Sequence, residues 1–252
     1  MRKSILGLSA VSLLALAAPA FAEDKPADDS DIKITGTVAL VSDYRFRGVT
    51  QSGQNVAIQG GLTATSKSGF YVGTWASSIN FAGSSEVDLF AGYSKEVAPG
   101  VTADVGVLYY LYPKHGAGAT DFFEPYVNVT FAVGPATVKA GVNYAWAQSA
   151  LGNLQTGTGD SDSIYLHVEP SFAIPNSPIA LNGHFGYASS KSFMANPTLD
   201  YSNTKGDTID WSVGATATYK MLTFGVSYVD TDVKPAARGV DGAVVFSLTA
   251  AF

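Results

Sequence analysis

After its second residue the chain uses arginine only three times, at Arg45, Arg47 and Arg238. Two of these stand one residue apart in Ser42-Asp43-Tyr44-Arg45-Phe46-Arg47-Gly48, interleaved with two aromatic residues. A guanidinium is always charged and presents its donors in a fixed fork. A pair on one side of a strand can therefore hold carboxylates, bind anions or bias the passage of ions. If the stretch continues a β-strand, Asp43, Arg45 and Arg47 share one face and Tyr44 and Phe46 the other.

A second constellation is His167, Glu169 and His184. If Ile174 pairs with Ile179 across the Pro175–Pro178 turn, Glu169 lies opposite His184, with His167 one diagonal away. Two imidazoles and a carboxylate can bind a divalent metal. The same residues are also ordinary lining of a wet interior, and we expect that role, with no metal and no cofactor. Hydrolysis would need a nucleophile beside a base held by a third group. Serines are abundant, but none lies in an activating motif, and neither a phosphate loop nor His-Glu-x-x-His is present. Asp160 and Asp162, in Gly-Thr-Gly-Asp-Ser-Asp-Ser, lack the spaced ligands and closing glutamate of a calcium loop. No catalytic residue is assigned, and no enzyme activity is expected.

The elements that must position these residues read as strands. From Ile32 onward the hydrophobic pattern alternates with period two, and no helical period matches it. Twelve strands are expected: Ile32 to Arg47, Val56 to Thr65, Phe70 to Ala76, Glu86 to Lys95, Thr102 to Tyr112, Phe122 to Val133, Ala136 to Trp146, Ser163 to Ile174, Ile179 to Ala188, Thr208 to Tyr219, Leu222 to Asp230 and Asp241 to Phe252. Most approach the roughly 9–11 residues that a tilted membrane-spanning strand needs. The connections alternate. Those at 66–69, 98–100, 134–135, 175–178 and 220–221 are tight. Those near 48–55, 77–85, 113–121, 147–162, 189–207 and 231–240 are longer and rich in Gly, Ser, Asn and Asp. The pattern predicts an all-β fold over 32–252: an antiparallel transmembrane β-barrel of about 12 strands, with short periplasmic turns and long extracellular loops.

Residues 1–22 have the layout of a secretory signal: Arg2 and Lys3, then an apolar run, then Ala20-Phe21-Ala22. Residues 23–31 form an acidic leader without periodicity. Removing Arg2 and Lys3 moves the net charge from −6 to −8. A nucleic-acid partner would need a basic face, so none is expected. Charged residues make up only 14% of the chain, which suits a wall that meets lipid. The chain has no cysteine, so no disulfide staples the fold.

Parity tests the barrel. With the apolar face outward, Tyr44, Phe46, Tyr109, Tyr144, Trp146, Tyr187, Trp211 and Tyr228 form a belt toward the long loops. Phe70, Tyr93, Phe131, Phe172, Tyr219, Phe224 and Phe252 form another toward the short turns. Amphipathic rings favour the two membrane–water interfaces. The opposite face carries Lys33, Gln59, Glu86, Asp88, Asp104, Glu124, Asn128, Lys139, His167, Glu169, Asn182, His184, Asp210 and Thr216. That much charge implies water inside. Twelve strands give a backbone radius of about 12 Å, enough for a narrow channel. Asp43, Arg45 and Arg47 then face the mouth, opposite Glu86, Asp88 and Glu124. With Lys220, seven lumen carboxylates stand against five cations, a mild bias toward cations.

Three motifs carry a resemblance: Ser42 to Ser52 (SDYRFRGVTQS), Gly69 to Ser77 (GFYVGTWAS) and Glu86 to Tyr93 (EVDLFAGY). In this order they resemble the TorF-like porin family of proteobacterial outer-membrane proteins, most densely over residues 40–95. The resemblance implies a barrel and porin activity and names no substrate. The expected function is passive diffusion of small hydrophilic solutes or ions across the outer membrane. The expected partners are outer-membrane lipid and the barrel-assembly machinery, which would read the alternating last strand ending at Phe252. The rivals are a closed structural or adhesive barrel whose loops bind a partner, and a barrel enzyme acting on lipid.

Overall fold

The structure, a computed structural model, describes residues 30–113, 119–153, 159–195, 206–233 and 239–252. Twelve antiparallel strands close into a barrel. They are β1 (Ile32–Val41), β4 (Ala57–Ser66), β5 (Phe70–Ser78), β6 (Ser85–Ala98), β7 (Val101–Leu111), β8 (Phe122–Val133), β9 (Ala136–Gly152), β10 (Asp160–Ala173), β11 (Ile179–Ser190), β12 (Asp207–Tyr219), β13 (Leu222–Thr231) and β14 (Ala243–Ala251). Two further strands, β2 (Arg45–Phe46) and β3 (Val49–Thr50), form a small separate hairpin. Each barrel strand pairs with its neighbours in sequence, and β14 closes on β1 with Leu40 opposite Leu248. Phe252 extends this seam by exchanging two backbone hydrogen bonds with Gly36, at 2.8 and 3.0 Å.

Alternation decides which side of the wall each residue takes. On β1, Ile34, Val38 and Leu40 are exposed outward, and on β13 Phe224, Val226 and Tyr228 are. Such a wall would be an aggregation surface in water. Aromatic residues ring both its ends. Tyr144, Trp146, Trp211 and Tyr228 are exposed toward the long loops, and Phe70, Phe131, Phe172, Tyr219, Phe224 and Phe252 toward the short turns. Every short turn contains a residue with positive φ: Gly69, Gly100, Gly134, Asn176 or Lys220. Three of these turns are two-residue hairpin loops: Pro99-Gly100 between Ala98 and Val101, Gly134-Pro135 between Val133 and Ala136, and Lys220-Met221 between Tyr219 and Leu222.

Several boundaries differ from those the alternation predicts. β9 and β10 run six and three residues further toward the 147–162 connection than expected, to Gly152 and from Asp160. The 154–158 tip of that connection, residues 196–205 of the next long one, His115 and Arg238 lie outside the described residues, as do the expected signal 1–22 and residues 23–29 of the leader. The largest difference is at the first strand. β1 ends at Val41, not Arg47. Ser42 N still donates to Phe246 O, and then the chain leaves the wall.

Candidate functional site in the lumen

After β1 the chain folds into the barrel over residues 43–52, with 53–56 exposed before β4, and Asp43 organises the segment. The Asp43 carboxylate accepts from Arg45 Nε at 2.7 Å, Thr50 Oγ1 at 2.5 Å and Ser52 Oγ at 3.1 Å. Arg45 Nη1 donates to the carbonyls of Gly48 at 2.9 Å and Asp241 at 2.7 Å, tying the hairpin to the chain just before β14. Phe46 pairs with Val49 across a two-residue turn, Arg47-Gly48, with φ of 48° and 82°. Two successive positive φ values are the mark of a type I′ hairpin turn. Gly48 is required there twice over: a Cβ on it would lie 2.8 Å from Thr231 Cβ and 3.1 Å from Asp210 Cβ.

The hairpin reaches across the lumen. Arg47 Nη2 donates to Glu124 Oε1 on β8 at 2.6 Å. The same guanidinium lies over the Tyr165 ring on β10, 3.9 Å from its centroid, and 4.7 Å from that of Phe46. Tyr44 OH donates to Glu86 Oε1 on β6 at 2.8 Å, and the Tyr44 ring meets Trp75 on β5 edge-on. Phe46 meets Tyr110 on β7 in the same way. Tyr44 and Phe46 therefore point inward, which corrects the expectation that they join the outer belt. The reason is the turn: once the chain leaves the wall at Ser42, the parity of β1 no longer governs it.

This plug covers lumen-facing apolar residues that the polar count omitted. Phe90, Leu108, Tyr110, Tyr112, Phe122 and Tyr126 form one buried cluster with Tyr44. Beneath the plug, a cavity of about 20 Å³ remains among Arg47, Glu124, Asn128, Lys139, Asn143 and His167, room for about one water molecule.

With two exceptions, the residues singled out from the sequence lie inside the barrel, and most are paired. Three ion pairs take three of the five cations counted from the sequence: Arg45–Asp43 at 2.7 Å, Arg47–Glu124 at 2.6 Å and Lys139–Glu169 at 2.6 Å. The other two differ from the expectation: Lys33 is exposed near the start of β1, and Lys220 sits in a short turn with its ammonium over the outward Tyr219 ring, so neither faces the enclosed lumen. Glu124 also accepts from Tyr110 OH and Asn143 Nδ2 through its other oxygen, both at 3.1 Å. Asp104 accepts from Tyr71 OH at 2.7 Å and Asn128 Nδ2 at 3.1 Å. Asp210 accepts from Tyr165 OH at 3.1–3.2 Å and faces His184 Nε2 at 2.8 Å. Asp88 is fully buried and accepts nothing from the described residues.

The β10–β11 register is Val168 opposite Phe185 and Ser171 opposite Asn182, which places Glu169 across from His184. His167 Nδ1 stands 3.0 Å and His184 Nδ1 3.9 Å from Glu169 Oε1. The three residues do meet, but Glu169 turns its other oxygen to Lys139. Among the described residues, no group of three His, Asp or Glu is arranged to hold a metal ion.

Comparison with known proteins places this geometry. A family described as "Bacterial protein of unknown function (Gcw_chp)" matches residues 25–252. No curated protein sequence matches. Among solved structures, a KdgM porin superposes with a TM-score of 0.54 at 7% identity, covering 86% of this chain and 98% of that one. A KdgM porin in complex with disordered oligogalacturonate gives 0.52 at 7% identity, covering 87% and 97%. Identity this low establishes a shared barrel fold and nothing about the ligand.

Proposed function

The chain belongs to the Gcw_chp family of bacterial proteins, and from its porin-like barrel we propose that it is a narrow outer-membrane channel constricted at its mouth by the 43–52 hairpin. One observation carries this reading: the inward face holds ionisable and hydrogen-bonding side chains along the barrel, while the outward face is apolar between two aromatic rings. A lipid environment selects the second, and an aqueous path makes use of the first. The resemblance of residues 40–95 to TorF-like porins agrees with it. In this reading the short turns are periplasmic, the long connections extracellular, and outer-membrane lipid covers the wall.

Small ions and the smallest hydrophilic solutes are the substrates that fit. The three ion pairs leave Glu86, Asp88, Asp104 and Asp210 without an arginine or lysine, and Lys33 and Lys220 are exposed at the short-turn end, so the lumen favours cations. The tight plug also supports a second reading, a closed barrel whose long loops bind a partner. Reconstitution in planar bilayers separates the two. A channel should give small, discrete conductance steps and a reversal potential in a KCl gradient displaced toward that of potassium. Refolded, heat-modifiable barrel that never conducts would favour the closed barrel.

A further inference from the structure

Six of the seven lumen carboxylates have a side-chain partner, and Asp88 has none. Its side chain is 0% exposed, and neither oxygen receives a hydrogen bond from the described residues. Its cross-strand neighbours are Trp75 on β5 and Tyr110 on β7, which bring aromatic surface and no positive charge. The charges that act on it are two more carboxylates, Glu86 and Glu124. Of the two arginines in the lumen, Arg47 is committed to Glu124 and Arg45 to Asp43. Glu86 accepts from the hydroxyls of Tyr44 and Tyr112 and has no cationic partner among the described residues. An ionised, donor-free carboxylate beside a second one in a water-poor space is strongly unfavourable unless a counter-charge or a proton joins it.

We propose that Asp88 and Glu86 together hold one monovalent metal cation, potassium or sodium, beneath Tyr44, a site that rests on the lumen being the aqueous path inferred above. Both carboxylates lie on one face of β6, two residues apart, so an ion between them reaches an oxygen of each. The neighbouring rings of Trp75, Tyr44 and Tyr110 bring no competing positive charge to the two carboxylates. A single charge fits better than a divalent ion, because no third carboxylate or histidine completes a cage. Tyr44 closes the site from the hairpin side through its bond to Glu86. The bound ion thus holds the plug as well as marking the path: with it gone, two like charges sit under Tyr44 and favour release of the hairpin.

The test is the unfolding midpoint of refolded barrel in detergent, in KCl against N-methyl-D-glucamine chloride at equal ionic strength. The organic cation is too large for the site. A ligand that binds only the folded state raises its stability by mass action, so the midpoint should be about 2–4 °C higher in KCl. Asp88→Asn should fold, since the amide removes the buried charge, and should lose the difference between the salts. Glu86→Gln should reduce it. Equal wild-type midpoints in the two salts would overturn the proposal. So would a potassium effect that survives in Asp88→Asn, or a midpoint that follows pH and ignores the cation, which would mean that a proton occupies the site. A cation effect in a barrel that never conducts would sink the channel reading and leave the site standing.

Discussion

Replacing Arg47 with alanine is expected to raise single-channel conductance several-fold while leaving the barrel folded. The hairpin is fixed at its tip by one guanidinium, which pairs with Glu124 at 2.6 Å and stacks on Tyr165 at 3.9 Å. Both charges of the pair are almost wholly buried. Removing one partner of such a pair typically costs about 3–5 kcal/mol, because the other is left as a lone buried charge. That shifts the ratio of plugged to unplugged hairpin by a factor of roughly 100 or more. The barrel does not share this dependence, since its twelve strands are held by their own ladders. Arg47→Ala combined with Glu124→Gln should be less open than Arg47→Ala alone, because the lone charge is gone; the coupling between the two sites is the measurable quantity. Arg47→Lys should rescue poorly, since an ammonium cannot both pair and stack as a planar guanidinium does. If Arg47→Ala conducts like the wild type, Arg47 does not hold the plug. Arg45 is the wrong residue for this experiment. Its bonds to Gly48 and Asp241 hold the hairpin base, so changing it would loosen the plug and alter the charge of the mouth together.

The wall of the barrel is legible in the sequence because parity and turn chemistry are local. Ile34, Val38 and Leu40 announce an outward face, and Gly134-Pro135 and Lys220-Met221 announce tight turns. The register of β10 on β11 follows from the Pro175–Pro178 turn alone, so the meeting of Glu169 with His167 and His184 could be read in advance. The plug could not be read from alternation, because Asp43-Tyr44-Arg45-Phe46-Arg47 alternates as well inside a lumen hairpin as it would in the wall. One signal was present. Gly48, with Phe46 and Val49 flanking a two-residue turn, is the position where a type I′ hairpin most needs a glycine. The buried aromatic cluster is not legible for a related reason. Leu108, Tyr110 and Tyr112 share the parity of Asp104, and in a fully wet lumen they would have no place. They make sense only once Tyr44 and Phe46 lie on top of them. Asp88 was legible as a lumen carboxylate, but its isolation was not, because partners come from other strands.

The second large effect concerns the seam. Deleting Phe252 and replacing Gly36 with valine should each sharply reduce the yield of heat-modifiable barrel. Phe252 makes the last two backbone bonds between the ends of the sheet, at 2.8 and 3.0 Å, worth about 1–3 kcal/mol together. Its ring occupies the notch that Gly36 leaves: a Cβ there would lie 2.6 Å from Phe252 Cε2 and 2.9 Å from Leu62 Cδ2. Alanine should be tolerated with a small loss, because the exposed Phe252 ring can give way. Valine presses on Phe252 and Leu62 at once, and the seam cannot relax on both sides. An open seam exposes two rows of unpaired backbone groups, which a bilayer penalises more heavily than water does. Gly60→Ala is the matched control, since its Cβ would come no closer than 3.3 Å to anything. Cells and detergent give separate readouts. If the seam contact is what matters, both variants should fail in cells and refold poorly in micelles. If the Phe252 deletion refolds normally in micelles and fails only in cells, Phe252 acts as the signal read by the assembly machinery. Normal barrel from both variants in both settings would remove the terminal residue from any account of closure.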